Sequence, residues 1–152
     1  MREILFRGKR KDTGAWVFGD LVHSQYKIGG TCVGQYGNTV GIHQVNPETV
    51  GQFTGLTDKN GKKIFDGDIL EFNSRIVNIA SGLPTGGNCT ERSVVEWGGH
   101  RWNRKRIYHS QWNSNWTNYG FTTDLYPENA AKYAEIIGTI HDNPELLEVP
   151  HE

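Results

Sequence analysis

A chain of 152 residues, 36% hydrophobic and 22% charged, is the size of one domain or of one domain with a small appendage, which excludes two independent catalytic domains. Glycine occurs 19 times against one methionine, and the mean hydropathy is -0.60, so turns and strands are expected more than long helices. The 16 basic and 17 acidic side chains nearly cancel, which excludes the global field of a histone-like or acidic-tail protein.

In chain order, Ile4-Leu5-Phe6 and Trp16-Val17-Phe18-Gly19-Asp20-Leu21-Val22 are β-prone runs around a charged turn, Lys9-Arg10-Lys11-Asp12-Thr13-Gly14, and predict an antiparallel hairpin. Short runs follow at Tyr26-Lys27-Ile28, Cys32-Val33-Gly34-Gln35-Tyr36 and Thr39-Val40-Gly41-Ile42, broken by glycine pairs as in a meander. Val45-Asn46-Pro47-Glu48-Thr49-Val50 turns the chain into Gln52-Phe53-Thr54-Gly55-Leu56, and Asn60-Gly61 is the strongest hairpin signal before Lys63-Ile64-Phe65. Asp66-Gly67-Asp68 then feeds a strand at Ile69-Leu70-Glu71-Phe72. Ile76-Val77-Asn78-Ile79 is followed by Ser81-Gly82-Leu83-Pro84-Thr85-Gly86-Gly87-Asn88, which reads as an exposed loop, and Val94-Val95-Glu96-Trp97 resumes the sheet. A helix is predicted from Pro127-Glu128 through Ala134, then a closing strand at Ile136-Ile137-Gly138-Thr139-Ile140, and a short helical turn after Asn143-Pro144.

Charge is uneven along this path. Residues 1–12 and 91–109 each carry a net +3, residues 13–90 carry -1, and residues 124–152 carry -6. Such a molecule can hold an anion locally or meet a copy of itself with opposite charges facing. Apolar runs are far below the roughly 18 residues a membrane span needs, and Met1-Arg2-Glu3-Ile4 opens directly into a strand-like pattern, so the expectation is a cytoplasmic protein without a membrane partner. Cys32 and Cys89 stand apart from any Cys-x-x-Cys spacing and read as buried or bystander thiols.

Three blocks carry a family likeness: Arg2-Glu3-Ile4-Leu5-Phe6-Arg7-Gly8-Lys9-Arg10; the run from Thr49-Val50-Gly51-Gln52-Phe53-Thr54-Gly55-Leu56 through Asp66-Gly67-Asp68-Ile69-Leu70; and Ile136-Ile137-Gly138-Thr139-Ile140-His141-Asp142-Asn143-Pro144-Glu145-Leu146-Leu147. In order and spacing they resemble the YopX family of phage and prophage proteins. The resemblance implies a mainly β fold: a small Src-homology-3-like β-barrel over residues 51–152, an N-terminal β subdomain over residues 1–50 that self-associates, and one or two short C-terminal helices. Against shorter members, residues 73–90 and 98–125 look like insertions that lengthen barrel loops, where member-specific function would sit.

The segment from Trp97 to Phe121 holds Trp97, Trp102, Trp112 and Trp116 with Tyr108, Tyr119 and Phe121, interleaved with His100, Arg101, Arg104, Lys105, Arg106 and His109. Aromatic faces stack on bases and guanidinium groups pair with phosphate oxygens, so Arg101, Trp102, Arg104, Lys105, Arg106, Tyr108, Trp112 and Trp116 are the candidate ligand-binding residues. The same composition also fills cores and makes hot spots in protein interfaces.

Other chemistries are weaker. Asp12-Thr13-Gly14-Ala15 matches the string of retroviral-type aspartic proteases but sits in a hairpin turn. Asp66, Asp68 and Glu71 could in principle gather on a cation, although Asp-Gly-Asp is what a tight turn selects. The six histidines lack a helix-borne pair at metal spacing, and neither a nucleophile elbow nor a Walker loop occurs. The resulting expectation is a homo-oligomeric, non-enzymatic phage accessory protein of the host cytoplasm, without catalytic residue, metal or cofactor. It would bind a nucleotide or nucleic acid, or else clamp a host protein, in host takeover or counter-defence.

Overall fold

The computed structural model describes residues 3–23, 31–35, 41–77, 80–110 and 122–148. Among the described residues the fold is mainly β, with two antiparallel sheets and one α-helix, and the chain divides into two compact units, Met1–Gly55 and Leu56–Glu152.

In the first unit, β1 (Phe6–Lys9), β2 (Trp16–His23), β3 (Thr31–Gln35), β4 (Gly41–Gln44) and β5 (Gly51–Thr57) lie in the order β4-β3-β2-β1-β5. The expected first hairpin forms with Phe6 opposite Gly19 and Lys9 opposite Trp16. Its turn is closed by Arg10 N–H donating to the Ala15 carbonyl at 2.9 Å and by Gly14 at φ 71°, so the Asp-Thr-Gly string serves turn geometry. Asp12 is exposed there and pairs with Arg10 at 2.5 Å. Val17, Val45 and Val50 form this unit's small core, and Gly8 permits the close approach: a Cβ on it would lie 2.9 Å from Val45 Cβ. Tyr26, Lys27 and Ile28 lie outside the described residues.

In the second unit, β5 ends at Thr57, and β6 (Lys63–Phe65) lies next to it in the sheet order. The Asn60-Gly61 turn forms as expected, with Gly61 at φ 77° and Asp58 N–H donating to the Lys62 carbonyl at 2.9 Å. The other sheet contains β7 (Asp68–Val77), β8 (Pro84–Trp97), β9 (Trp102–His109), β10 (Thr122–Asp124) and β11 (Ala134–Thr139), ordered β10-β9-β8-β7-β11. Helix α1 (Pro127–Tyr133) follows β10 and buries Ala130, and a 3-10 turn covers Pro144–Leu147. Ile64, Leu70, Val95, Leu125, Ala130 and Ala134 make the core, with Leu56, Phe72, Trp102 and Ile136 packed around it.

Two sequence expectations change here. Residues 84–90 are strand and not loop: β7 continues to Val77 and β8 begins at Pro84, with Arg75 opposite Asn88 and Ser74 opposite Cys89. The segment 98–125 likewise contains all of β9 and β10. Glycine-rich sequence disguised the strand, since ladder hydrogen bonds need only the backbone and an exposed ladder tolerates small polar residues. Among the described residues no ladder joins β10 to β11, so the second sheet is open there, without the barrel closure the resemblance implied.

Candidate functional site

The β8–β9 hairpin decides which side chains share a face. Trp97 pairs with Trp102, Val95 with Arg104, Ser93 with Arg106 and Glu91 with His109, while Leu70 pairs with Ser93 and Phe72 with Glu91 across β7. Opposed residues project to the same side of a sheet, so Glu91, Arg104, Arg106 and His109 share the core-facing side with Leu70, Phe72 and Val95. The register shifts between Arg92 and Ser93, where Ile107 is the extra residue on β9, and this sets His109 opposite Glu91.

The residues singled out from sequence therefore divide. Trp102, Arg104 and Arg106 lie on the core-facing side; Lys105 and Tyr108 lie on the other, where Tyr108 is 5.1 Å from the Arg92 guanidinium and Arg92 pairs with Glu71 at 3.0 Å. Arg101 sits at the exposed hairpin end and pairs with Asp124 at 2.7 Å. Trp102 meets Trp97 edge to face at 5.0 Å and, partly buried, packs against the core. Trp112 and Trp116 lie outside the described residues.

On the core-facing side, Glu91 receives both Arg104, in a short ion pair, and Arg106, at 2.6 Å. The Arg104 guanidinium also lies 4.5 Å over the Phe72 ring. Beside this cluster is an open cleft of about 200 Å³ lined by Phe72, Asn73, Ser74, Cys89, Glu91, Arg104, His109, Asn129 and Tyr133. Helix α1 supplies Asn129 and Tyr133, and the Tyr133 ring is exposed.

Cys89 Sγ lies 3.0 Å from His109 Nε2 in this cleft. Burial and the Arg106 charge push the His109 imidazole below its ordinary pKa, against an opposing pull from Glu91, so the neutral ring is favoured near pH 7. Sequence reasoning missed this pair because residues 84–90 read as loop; a continuous β8 would have brought Cys89 beside the far end of β9.

Asp66-Gly67-Asp68 forms the tight turn that its composition selects, and Asp68 and Glu71 do not converge on a cation site. Asp68 is buried and accepts from Phe65 N–H at 2.8 Å, whereas Glu71 points to the other side of β7, to Arg92. Among the described residues no cluster of three or more metal-ligating side chains occurs, and no helix is long and apolar enough to cross a membrane.

Two antiparallel sheets and one short α-helix among the described residues place the chain in the class of mainly β proteins. Within that class the chain belongs to the YopX protein family, whose profile matches residues 5–148. Its backbone is similar to the crystal structure of protein EF1440 from Enterococcus faecalis, at 19% identity and a TM-score of 0.51, covering 97% of this chain and all of that one. No curated protein matches the chain in sequence.

Proposed function

We propose that this YopX-family protein is a non-enzymatic binding protein that takes a small anionic ligand bearing a planar ring, a nucleotide or the end of a nucleic-acid strand, in the cleft beside Arg104 and Tyr133. The observation that carries this reading is the Arg104 guanidinium, which borders the cleft together with Phe72 and the exposed Tyr133. A guanidinium holds phosphate oxygens and an aromatic face takes a base, and stacking contributes roughly 1–3 kcal/mol per base. A cleft of about 200 Å³ is smaller than the roughly 300 Å³ lower bound for sites that enclose drug-sized ligands, so it takes one ring or one phosphate and leaves the rest of the ligand outside.

The wider reading is that of a phage accessory protein acting in the host cytoplasm, in host takeover or counter-defence, as a homo-oligomer. Family membership supports the phage setting, and exposed Phe18 and Ile42 on the first unit's sheet support self-association. A second reading, capture of a host protein, is favoured by Trp97, which is 49% exposed at the β8–β9 hairpin end.

Calorimetric titration with mononucleotides tests the ligand reading. Tyr133→Ala and Arg104→Gln should each weaken binding about tenfold or more, with the Arg104→Gln effect shrinking as salt rises. Unchanged affinity in both variants would remove the cleft as the site.

A further inference from the structure

We propose that Cys89 is a reactive thiol, with His109 as its proton acceptor, that forms a mixed disulfide with a small anionic disulfide seated in the cleft. Three features meet at one place. The thiol Sγ lies 3.0 Å from His109 Nε2, both side chains line the open cleft, and the Arg104 guanidinium borders the same space. Cys89 is partly exposed, so approach does not require unfolding. Thiol–disulfide exchange needs a nucleophile, a proton acceptor and an open approach, and the cleft provides all of these.

The step balances without further reagents. His109 Nε2 takes the thiol proton, and the Cys89 thiolate attacks one sulfur of the ligand disulfide. A Cys89–ligand S–S bond forms as the ligand's own S–S bond breaks, and the leaving sulfur departs as a thiolate that takes up a proton. Cys89 is oxidised and the departing half of the ligand is reduced. Negative groups on the disulfide are held by the Arg104 guanidinium, which selects anionic over uncharged disulfides. This chemistry stands apart from the nucleotide reading, because it needs no base or phosphate in the cleft.

The test uses full-length protein carrying Cys32→Ser, with Cys89 modification followed by intact mass. The probes are an aromatic disulfide bearing carboxylates and an uncharged dipyridyl disulfide. His109→Gln should slow modification about tenfold or more near neutral pH, and Arg104→Gln should reduce the preference for the carboxylated probe several-fold. An unchanged rate in His109→Gln, or modification only after denaturation, would overturn the proposal. If His109→Gln does not fold, the parent decides: folded Cys89 should react with the carboxylated disulfide faster than the same thiol in urea-unfolded protein at one pH, and an equal or slower folded rate would overturn the pairing. Nucleotide titration of Cys89→Ser separates the two readings, since loss of nucleotide binding leaves the exchange result standing.

Discussion

Asp58 Oδ2 accepts the backbone N–H of Ile136 at 3.2 Å, tying the β5–β6 turn to strand β11 across 78 residues of chain. Its other oxygen, Oδ1, accepts from Asn60 N–H at 2.8 Å and Lys62 N–H at 2.9 Å, so one carboxylate closes the turn and fixes β11 against it. Lys59 N–H donates to the Ala134 carbonyl at 2.9 Å and completes the junction.

Burial pushes the Asp58 carboxyl up, but the N–H groups of Ile136, Lys62 and Asn60 outweigh it and hold the group below the usual carboxylate range. A folded-state pKa below the unfolded value stabilises above the unfolded value of 3.8 and loses that contribution as pH falls through the folded one. Asp58→Asn turns an acceptor into a donor facing an N–H and should cost about 1–3 kcal/mol near neutral pH. Its stability should also fall less steeply than the parent's below about pH 4, as read by denaturant unfolding across pH.

Gly138 sits where β11 shifts register against β7, between the pairs Ile136–Leu70 and Gly138–Ile69. A Cβ there would lie 2.8 Å from Asn143 Cγ, and Asn143 Oδ1 accepts Thr139 N–H at 3.4 Å. Gly138→Ala forces the Asn143 side chain out and should destabilise by roughly 1–3 kcal/mol, a shift of several degrees in thermal unfolding. Asn143→Ala in the same background should relieve part of that loss, because it removes the obstructing atoms.

His109 faces Cys89, Glu91 and the Arg106 charge. Its pKa is lowered by folding, so the unfolded chain takes up a proton first as pH falls below the ordinary value of 6.5, and the folded state loses stability over that range. Stability should therefore decline from pH 7 toward pH 5 in the parent and decline less in His109→Gln, measured by urea unfolding.

Glu91 is held by Arg104 and Arg106 on a face that also carries the apolar core. Glu91→Gln removes the carboxylate charge that both partly buried guanidinium groups share and should destabilise by about 2–4 kcal/mol, more than either arginine substitution does. The same change raises the positive charge at the cleft, so any Glu91→Gln protein that remains folded should bind anions more tightly.

Much of the strand order was readable from residue pattern. Asn60-Gly61, the charged turn before Gly14, and Pro127 at the start of α1 each mark a local geometry that few other residues supply. The N-terminal half of β8 was not readable, because Pro84-Thr85-Gly86-Gly87-Asn88 carries loop composition and its strand state comes from pairing with β7. That stretch, together with residues 98–125 read as an inserted loop, hid the candidate site. With β8 read only from Val94 to Trp97, Cys89 and Glu91 lay outside any strand, and the arginines and aromatics of β9 looked like one cluster. The ladder instead puts Arg104 and Arg106 on one face and Lys105 and Tyr108 on the other, an alternation that composition cannot show but strand period can.

The binding claim is tested most directly by titrating the protein with a nucleoside monophosphate and with the corresponding nucleoside at low and at physiological salt. The account predicts that the phosphate-bearing ligand binds about tenfold or more tightly than the nucleoside, that Arg104→Gln abolishes the difference, and that salt narrows it. Equal affinity for both ligands, or binding of neither, would contradict it.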